Sequence, residues 1–391
     1  MLDAFPDLGR IYRRAVGQLL PAPRGLGWAV RRRPRPGRLP ATALAVDGVR
    51  VDRGHLAAYN RVCGFPLRDT LPATYPHVMA FPLAMALLAA DDFPFPVVGL
   101  VHVANRMEVR RPLSAAASWR FTATTGALRP HRRGRQFDVV VEAADGQGVA
   151  WRGVSTYLRR EGGGPGADPG VAGPDRSRGG GPGESHGNGP DEPRSPGPGE
   201  PHGAGPDERH GAGSEKPHGV GTEEPHGAIV GEQRGSGPRE PRSTRPSGPG
   251  AAHTRVPESH AAPSPDGAGE DLAAGLPVVA RWRVPADLGA AYARVSGDRN
   301  PIHTSAIGAR LFGFRRPIAH GMWTKARCLA ALDSRLPEAY AVDVAFHAPL
   351  FLGSTVEFGA AARDGWLVSV TGAGGGRDHL TGRVRAWERT R

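Results

Sequence analysis

Tyr292-Ala-Arg-Val-Ser-Gly-Asp-Arg-Asn-Pro-Ile-His303, followed at once by a segment ending in Arg316-Pro-Ile-Ala-His-Gly-Met322, is the stretch on which the reading of this chain turns. Asp298 and His303 stand five residues apart, with Gly297 before them and Pro301 between them. On one continuous helix they would sit about 500° apart around the axis, well off a shared face. A Gly-Asp-x-Asn-Pro turn can fold them back so that carboxylate and imidazole reach one atom, because Asp and Asn cap such turns through their own side chains. Gly321 then precedes an apolar run, Met322 to Leu332, that reads as a helix. A helix opened by Gly presents bare N–H groups and a positive dipole end, suited to a carbonyl oxygen gaining negative charge.

The run Ser296-Gly-Asp-x-Asn-Pro-Ile-His303 with Pro317-Ile-Ala-His-Gly-Met322 resembles the signature of MaoC-like (R)-specific enoyl-CoA hydratases and dehydratases, enzymes of the hot-dog fold. The resemblance implies that Asp298 and His303 are the catalytic pair, that Asn300 braces their loop, and that the Gly321 N–H binds the thioester oxygen. It implies no metal and no organic cofactor. Of the neighbouring residues, His320 reads as packing or hydrogen-bonding locally, Tyr292 and Ser296 as loop supports, and His347 as a strand residue lining a sheet.

Outward from this stretch, residues 276–391 read as one folded unit. Pro277–Val284 predicts a strand and Leu288–Val295 a short helix leading into the loop. After the Met322–Leu332 helix, strands are expected at Ala341–Phe346, Thr355–Ala361, Trp366–Thr371 and His379–Trp387. Residues 41–160 have the same texture: an apolar helix from about Val78 to Ala90, then strands at Val97–Val103, Ser118–Thr125, Phe137–Ala143 and Val149–Tyr157. One helix followed by several antiparallel strands is an α+β pattern, a helix wrapped in a curved sheet.

The two segments align as a duplication. Tyr59-Asn-Arg-Val-Cys-Gly-Phe65 parallels Tyr292 to Asp298, and Pro76-His-Val-Met-Ala-Phe81 parallels Pro317 to Met322. On this pairing Phe65 takes the place of Asp298, Thr70 falls nearest the position of His303, and Ala80 replaces Gly321. The first copy thus lacks carboxylate, imidazole and glycine together and reads as non-catalytic. That asymmetry resembles the double hot-dog members of the family, which implies two halves sharing one sheet as a pseudo-dimer, within a monomer or a homodimer.

Between them, from about residue 161 to 275, Gly, Pro, Ser, Glu and Arg dominate, and a degenerate repeat recurs, as at Glu200-Pro-His-Gly203 and Glu224-Pro-His-Gly227. Such a composition buries too little apolar surface to offset chain entropy and predicts a disordered linker. Residues 1–40 hold a candidate helix, Ile11 to Leu20, and then Arg31-Arg-Arg-Pro-Arg-Pro-Gly-Arg38, read as an exposed basic arm.

Composition narrows the function classes. The formal charge of +12 is almost entirely arginine, Lys216 and Lys325 being the only lysines. A basic chain suits the phosphates of coenzyme A, and no nucleic-acid motif accompanies the charge. Two unrelated cysteines, Cys63 and Cys328, suggest a reducing compartment without a disulfide framework. Asp3 and Pro6 argue against a secretory leader, and no apolar run approaches the ~20 residues of a membrane span, so a cytoplasmic protein is expected. The reading is thus an enzyme hydrating trans-2-enoyl thioesters, or dehydrating (R)-3-hydroxyacyl thioesters, carried on coenzyme A or acyl carrier protein. The alternatives are a hot-dog acyl thioesterase and a non-catalytic acyl-binding scaffold.

Overall fold

Each half of the chain contributes helices and strands to one shared sheet, and the computed structural model describes residues 1–17, 38–160 and 275–388, which fall within one compact unit. Most of the expected basic arm and the expected linker at 161–275 lie outside the described residues.

In chain order the first half comprises α1 (Leu8–Gly17), β1 (Leu44–Arg50), α2 (Arg53–Cys63), α3 (Tyr75–Met79) and α4 (Phe81–Leu88). The strands β2 (Leu100–Val109), β3 (Ser118–His131), β4 (Gly134–Asp145) and β5 (Gly148–Arg160) follow. The second half comprises β6 (Val278–Arg283), α5 (Leu288–Ser296), α6 (Pro301–Thr304), α7 (Ala306–Leu311) and α8 (Gly321–Leu332). It ends in β7 (Tyr340–Phe346), β8 (Thr355–Ala362), β9 (Trp366–Gly372) and β10 (Asp378–Ala386).

All ten strands form a single sheet in the order β1-β3-β4-β5-β2-β7-β10-β9-β8-β6. Reading inward from each edge, strands 1, 3, 4, 5, 2 meet strands 6, 8, 9, 10, 7. The second series is the first with five added to every number, so the halves are repeats related by a pseudo-twofold axis at the β2–β7 seam. Every ladder is antiparallel, the seam included. This is a double hot dog: two helix-filled curved sheets joined edge to edge. The apolar residues form one continuous core through both repeats, with Trp119, Trp151, Phe121, Phe137 and Phe358 fully buried. Where an indole N–H is buried it finds a carbonyl, as Trp151 Nε1 does on Ala73 O at 2.7 Å.

The helix expected over Val78–Ala90 is two helices. Pro82, the second residue of α4, has no N–H to give to the carbonyl of Val78, so α3 ends at Met79 and the chain restarts at Phe81. The strand expected at Val97–Val103 runs instead over Leu100–Val109. Its polar second part is stabilised by ion pairs, Arg106 with Glu108 at 3.2 Å and with Asp343 at 3.0 Å. Among the described residues each half has five strands, where four were expected in the first. β1 was not anticipated because Asp47 and Gly48 interrupt its pattern; Gly48 has φ +69 and the register shifts between Val46 and Val49.

Lys325, on α8, is fully buried beneath the seam. Its Nζ donates to Asn105 Oδ1 at 2.6 Å, to Asn105 O at 3.2 Å and to Val342 O at 3.3 Å, tying α8 to β2 and β7 together. Burial lowers its pKa from 10.5 to about 7. Above pH 7 the unfolded chain therefore holds a proton that the folded chain releases, and stability rises with pH. The buried thiols of Cys63, raised to about 12, and Cys328, also raised, oppose this once unfolded thiols ionise near 9. Between pH 7 and 8.5 the urea midpoint of wild type should gain on that of Lys325→Met by about 2 kcal/mol of stability. An identical pH dependence in the two proteins would contradict this assignment.

Candidate functional site

α5 ends where the chain needs a left-handed residue: Gly297 has φ +75, and its N–H donates to Ala293 O at 3.0 Å. The chain then turns through Asp298, Arg299 and Asn300 into the short α6. Asp298 Oδ1 accepts from Asn300 N at 3.1 Å, and Ser296 Oγ accepts from Asp298 N at 3.2 Å. Asn300 caps α6, its Oδ1 accepting from Ile302 N at 3.3 Å. Pro301 starts α6 and leaves His303 facing inward. Gly289 permits α5 to lie against that turn, since a Cβ there would stand 1.8 Å from the His303 carbonyl oxygen.

Both imidazoles are buried, His303 with 9% and His320 with 3% of its surface exposed, and their rings stack at 3.7 Å. Each is oriented by a backbone carbonyl. His303 Nδ1 lies 2.8 Å from Ile318 O and so carries the proton, leaving Nε2 with its lone pair free. His320 Nε2 lies 3.0 Å from Asp298 O and donates to it, leaving Nδ1 buried without a partner. Burial lowers the pKa of His303, opposed by the Asp298 charge and the Ile318 carbonyl. Burial and the neighbouring His303 lower His320 to about 3. Both rings are neutral at pH 7.

The ligand atoms of Asp298, His303 and His320 lie within 4.8 Å of one another. The His320 nitrogen nearest the carboxylate is Nε2, 3.9 Å from Asp298 Oδ2 and already committed to Asp298 O, so the carboxylate and His303 Nε2 are the groups left to bracket a water. Gly321 is the first residue of α8, whose first internal bond runs from Thr324 N to His320 O at 3.2 Å, so the Gly321 N–H is one of the helix's unsatisfied donors. The Phe346 ring approaches this glycine closely: a Cβ on it would meet the ring at 3.0 Å.

Of the four residues singled out in the sequence, Asp298 and His303 come together beside His320, Asn300 caps the turn between them, and Gly321 opens α8 directly after His320. His320 does bond locally, and Ser296 supports the loop through its Oγ. His347 lies one residue beyond β7, its backbone N–H on His379 O at 3.0 Å. In the first repeat, Gly64 ends α2 with φ +83 as Gly297 ends α5, and Phe65 follows, buried and stacked on Tyr59 at 6.5 Å. Ala80 stands at the start of α4, and Thr70 is exposed.

Residues of the first repeat also reach this region, and sequence reading missed them. His102 stacks on Tyr157 at 4.8 Å, faces His77 at 6.4 Å and lies 5.1 Å from Phe346. Burial lowers His77 to about 4 and His102 to about 3, and the Asp298 charge acts on both His77 and Tyr157. They sit on α3, β2 and β5 of the repeat read as degenerate, and no motif marks them. A pairing of β2 with β7 would have been needed to find them.

The fold and site define a class, the double hot-dog proteins. Within it, the family model for the MaoC like domain matches residues 275–369, so the second repeat carries a MaoC like domain. Over 353 residues, 90% of this chain and 92% of its relative, the sequence is 28% identical to 3-hydroxyacyl-thioester dehydratase X of Mycobacterium tuberculosis (strain ATCC 25618 / H37Rv). Over 92 residues, 22% of this chain and 59% of its relative, it is 37% identical to 3-hydroxybutyryl-CoA dehydratase of Methylorubrum extorquens. Among solved structures, HtdX of Mycobacterium tuberculosis superposes with a TM-score of 0.57 at 24% identity, over 88% of this chain and 100% of that one. A MaoC-like dehydratase from Phytophthora capsici does so with a TM-score of 0.53 at 15% identity, over 90% and 97% of the two chains. These two likenesses speak to the fold. No helix among the described residues is long and apolar enough to cross a membrane.

The neutral, buried imidazoles make the fold acid-sensitive. Their folded pKa values lie below the unfolded 6.5, so the unfolded chain takes up protons first as pH falls, and stability is lost between about pH 6.5 and 3. His320→Phe should flatten part of that slope in thermal midpoints measured across the window. An unchanged slope would show that His320 is not held neutral by the fold.

Proposed function

We propose that the protein interconverts trans-2-enoyl thioesters and (R)-3-hydroxyacyl thioesters, with one active site in the second repeat. The observation that carries this reading is the clustering of Asp298, His303 and His320 within 4.8 Å of one another, with Gly321 opening α8 immediately after His320. The matched MaoC like domain and the dehydratase names of the two relatives support the reaction class.

In the hydration direction, Asp298 and His303 hold one water between them. His303 Nε2, whose opposite nitrogen is fixed on Ile318 O, accepts a proton as the water oxygen bonds to C3. The C2–C3 π pair moves toward the carbonyl, and the thioester oxygen takes up negative charge. The Gly321 N–H at the positive end of α8 stabilises that oxygen. The proton held by the acid/base pair then passes to C2 on the same face, which restores the site and completes a syn addition of water. Dehydration is the reverse. Every atom comes from substrate and water, so no redox partner is called for.

The first repeat has Phe65, Thr70 and Ala80 at the corresponding positions, and its role on this reading is to complete the sheet and to wall the acyl site with His77, His102 and Tyr157. A single chain then supplies everything one site needs. Coenzyme A and acyl carrier protein thioesters are both substrates to be tried.

Loss of the enoyl-thioester absorbance should be measured with crotonyl-CoA and with a longer trans-2-enoyl-CoA. Wild type should hydrate at least one of them without releasing free thiol. Asp298→Asn and His303→Gln should each lower kcat by about 10²- to 10⁴-fold with the fold intact. Thiol release instead of hydration, or full activity in Asp298→Asn, would overturn the proposal.

A further inference from the structure

Tyr12 lies on α1, 285 residues before the loop it touches. Its hydroxyl donates to Gly297 O at 2.9 Å and accepts from Arg299 N at 2.8 Å. Those two groups belong to the residues immediately before and after Asp298. Leu8, one turn earlier on the same face of α1, packs against Gly297; its Cδ1 would stand 2.6 Å from a Cβ at that position. The helix is itself held by the first repeat. Leu2 N donates to Ala45 O at 2.8 Å, Phe5 lies 5.9 Å from Phe121, Ile11 is buried, and Arg14 pairs with Asp91.

We infer that Tyr12 is a positioning residue, a clamp that fixes the direction of the Asp298 carboxylate from outside the domain that carries it. The inference rests on the reading of Asp298 as part of the acid/base pair. The loop's own bonds, Ser296 Oγ to Asp298 N and Asp298 Oδ1 to Asn300 N, hold one edge of the turn. They leave the Gly297 carbonyl and the Arg299 N–H to find partners elsewhere, beside a glycine whose backbone turns easily. Tyr12 satisfies both with one oxygen. Rotation of either flanking peptide would swing the carboxylate away from His303, and a displacement on the order of 1 Å is enough to cost about 10²-fold in rate.

The hydroxyl is committed on both sides, as donor and as acceptor, and burial and the Asp298 charge raise its pKa. It stands close enough to the Asp298 side chain for that carboxylate's charge and hydrogen bonding to raise its pKa, so it acts on the loop and its carboxylate without giving a proton to substrate. It also gives the first repeat a second task beyond walling the acyl site, since α1 is held by that repeat and reaches the second.

The test is Tyr12→Phe beside Asp298→Asn, assayed on a trans-2-enoyl-CoA with kcat and KM separated. Tyr12→Phe keeps the ring and its packing, and circular dichroism and a thermal scan establish its folded fraction. The expected result is a fall in kcat of about 10- to 100-fold with KM within about twofold of wild type, because the lost interaction orients the carboxylate in the transition state. Wild-type kcat in Tyr12→Phe with Asp298→Asn inactive overturns the clamp alone. A rise in KM, or a loss no larger than the unfolded fraction, marks a structural role only and also overturns it. Full activity in Asp298→Asn removes the site reading and the clamp with it.

Discussion

Six residue pairs of antiparallel ladder, Ala104 with Ala345 through Val109 with Tyr340, join the two repeats, and the placement of everything else depends on their register. A slip of one residue would turn every side chain of the seam to the opposite face. Two devices fix it. On one side Arg106 Nη1 donates to both carboxylate oxygens of Asp343, each at 3.0 Å, across the seam. On the other, Lys325 reaches up from α8 to groups on both strands. Ionisable groups of this kind add little net stability, and a one-residue slip would part them from these partners. Trp323, two residues earlier, donates its indole N–H to Val62 O of α2 at 3.0 Å. The helix that begins at Gly321 is thereby held by both repeats.

That rigidity matters because the site's polar groups are aimed by backbone. His303 points its free nitrogen inward because Ile318 O holds the other, and His320 is turned by Asp298 O. The Ile318 backbone is itself fixed, its N–H on Ile302 O at 3.1 Å and Ala319 N on Leu350 O at 2.7 Å. The loop, the start of α8 and the segment after β7 therefore form one bonded unit. In the first repeat the same frame carries a phenylalanine where the carboxylate stands. Phe65 is buried and stacks on Tyr59, which itself meets Tyr75 and Tyr292, so this position serves core packing.

Much of this was legible in the sequence because it was written locally. The turn residues Gly297, Asn300 and Pro301 and the helix-opening Gly321 announce their conformations by residue type. The strands of the second repeat, from Tyr340 onward, have the alternation and β-branched content that mark strands, and their bounds agree to within one or two residues. The repeat relation was legible too, through Gly64 and Gly297 at matched helix ends. What was missed was interrupted or remote. Gly48 hid β1, Pro82 split a helix that apolar content suggested was single, and ion pairing to Asp343 in the other repeat sustains the polar half of β2. Tyr12, His77, His102 and Tyr157 reach the site through tertiary contact, for which periodicity holds no signal.

The central claim is that a fused pair of repeats holds one active site, built on the second repeat and braced by the first. Calorimetric titration of folded Asp298→Asn with a long-chain trans-2-enoyl-CoA, which that variant should bind without turning over, measures the number of sites directly. The account predicts one equivalent bound per chain, with binding lost when Gly321 is replaced by a bulky residue and kept when Ala80 is. Two equivalent sites per chain, or binding that depends on Ala80 and not on Gly321, would contradict it.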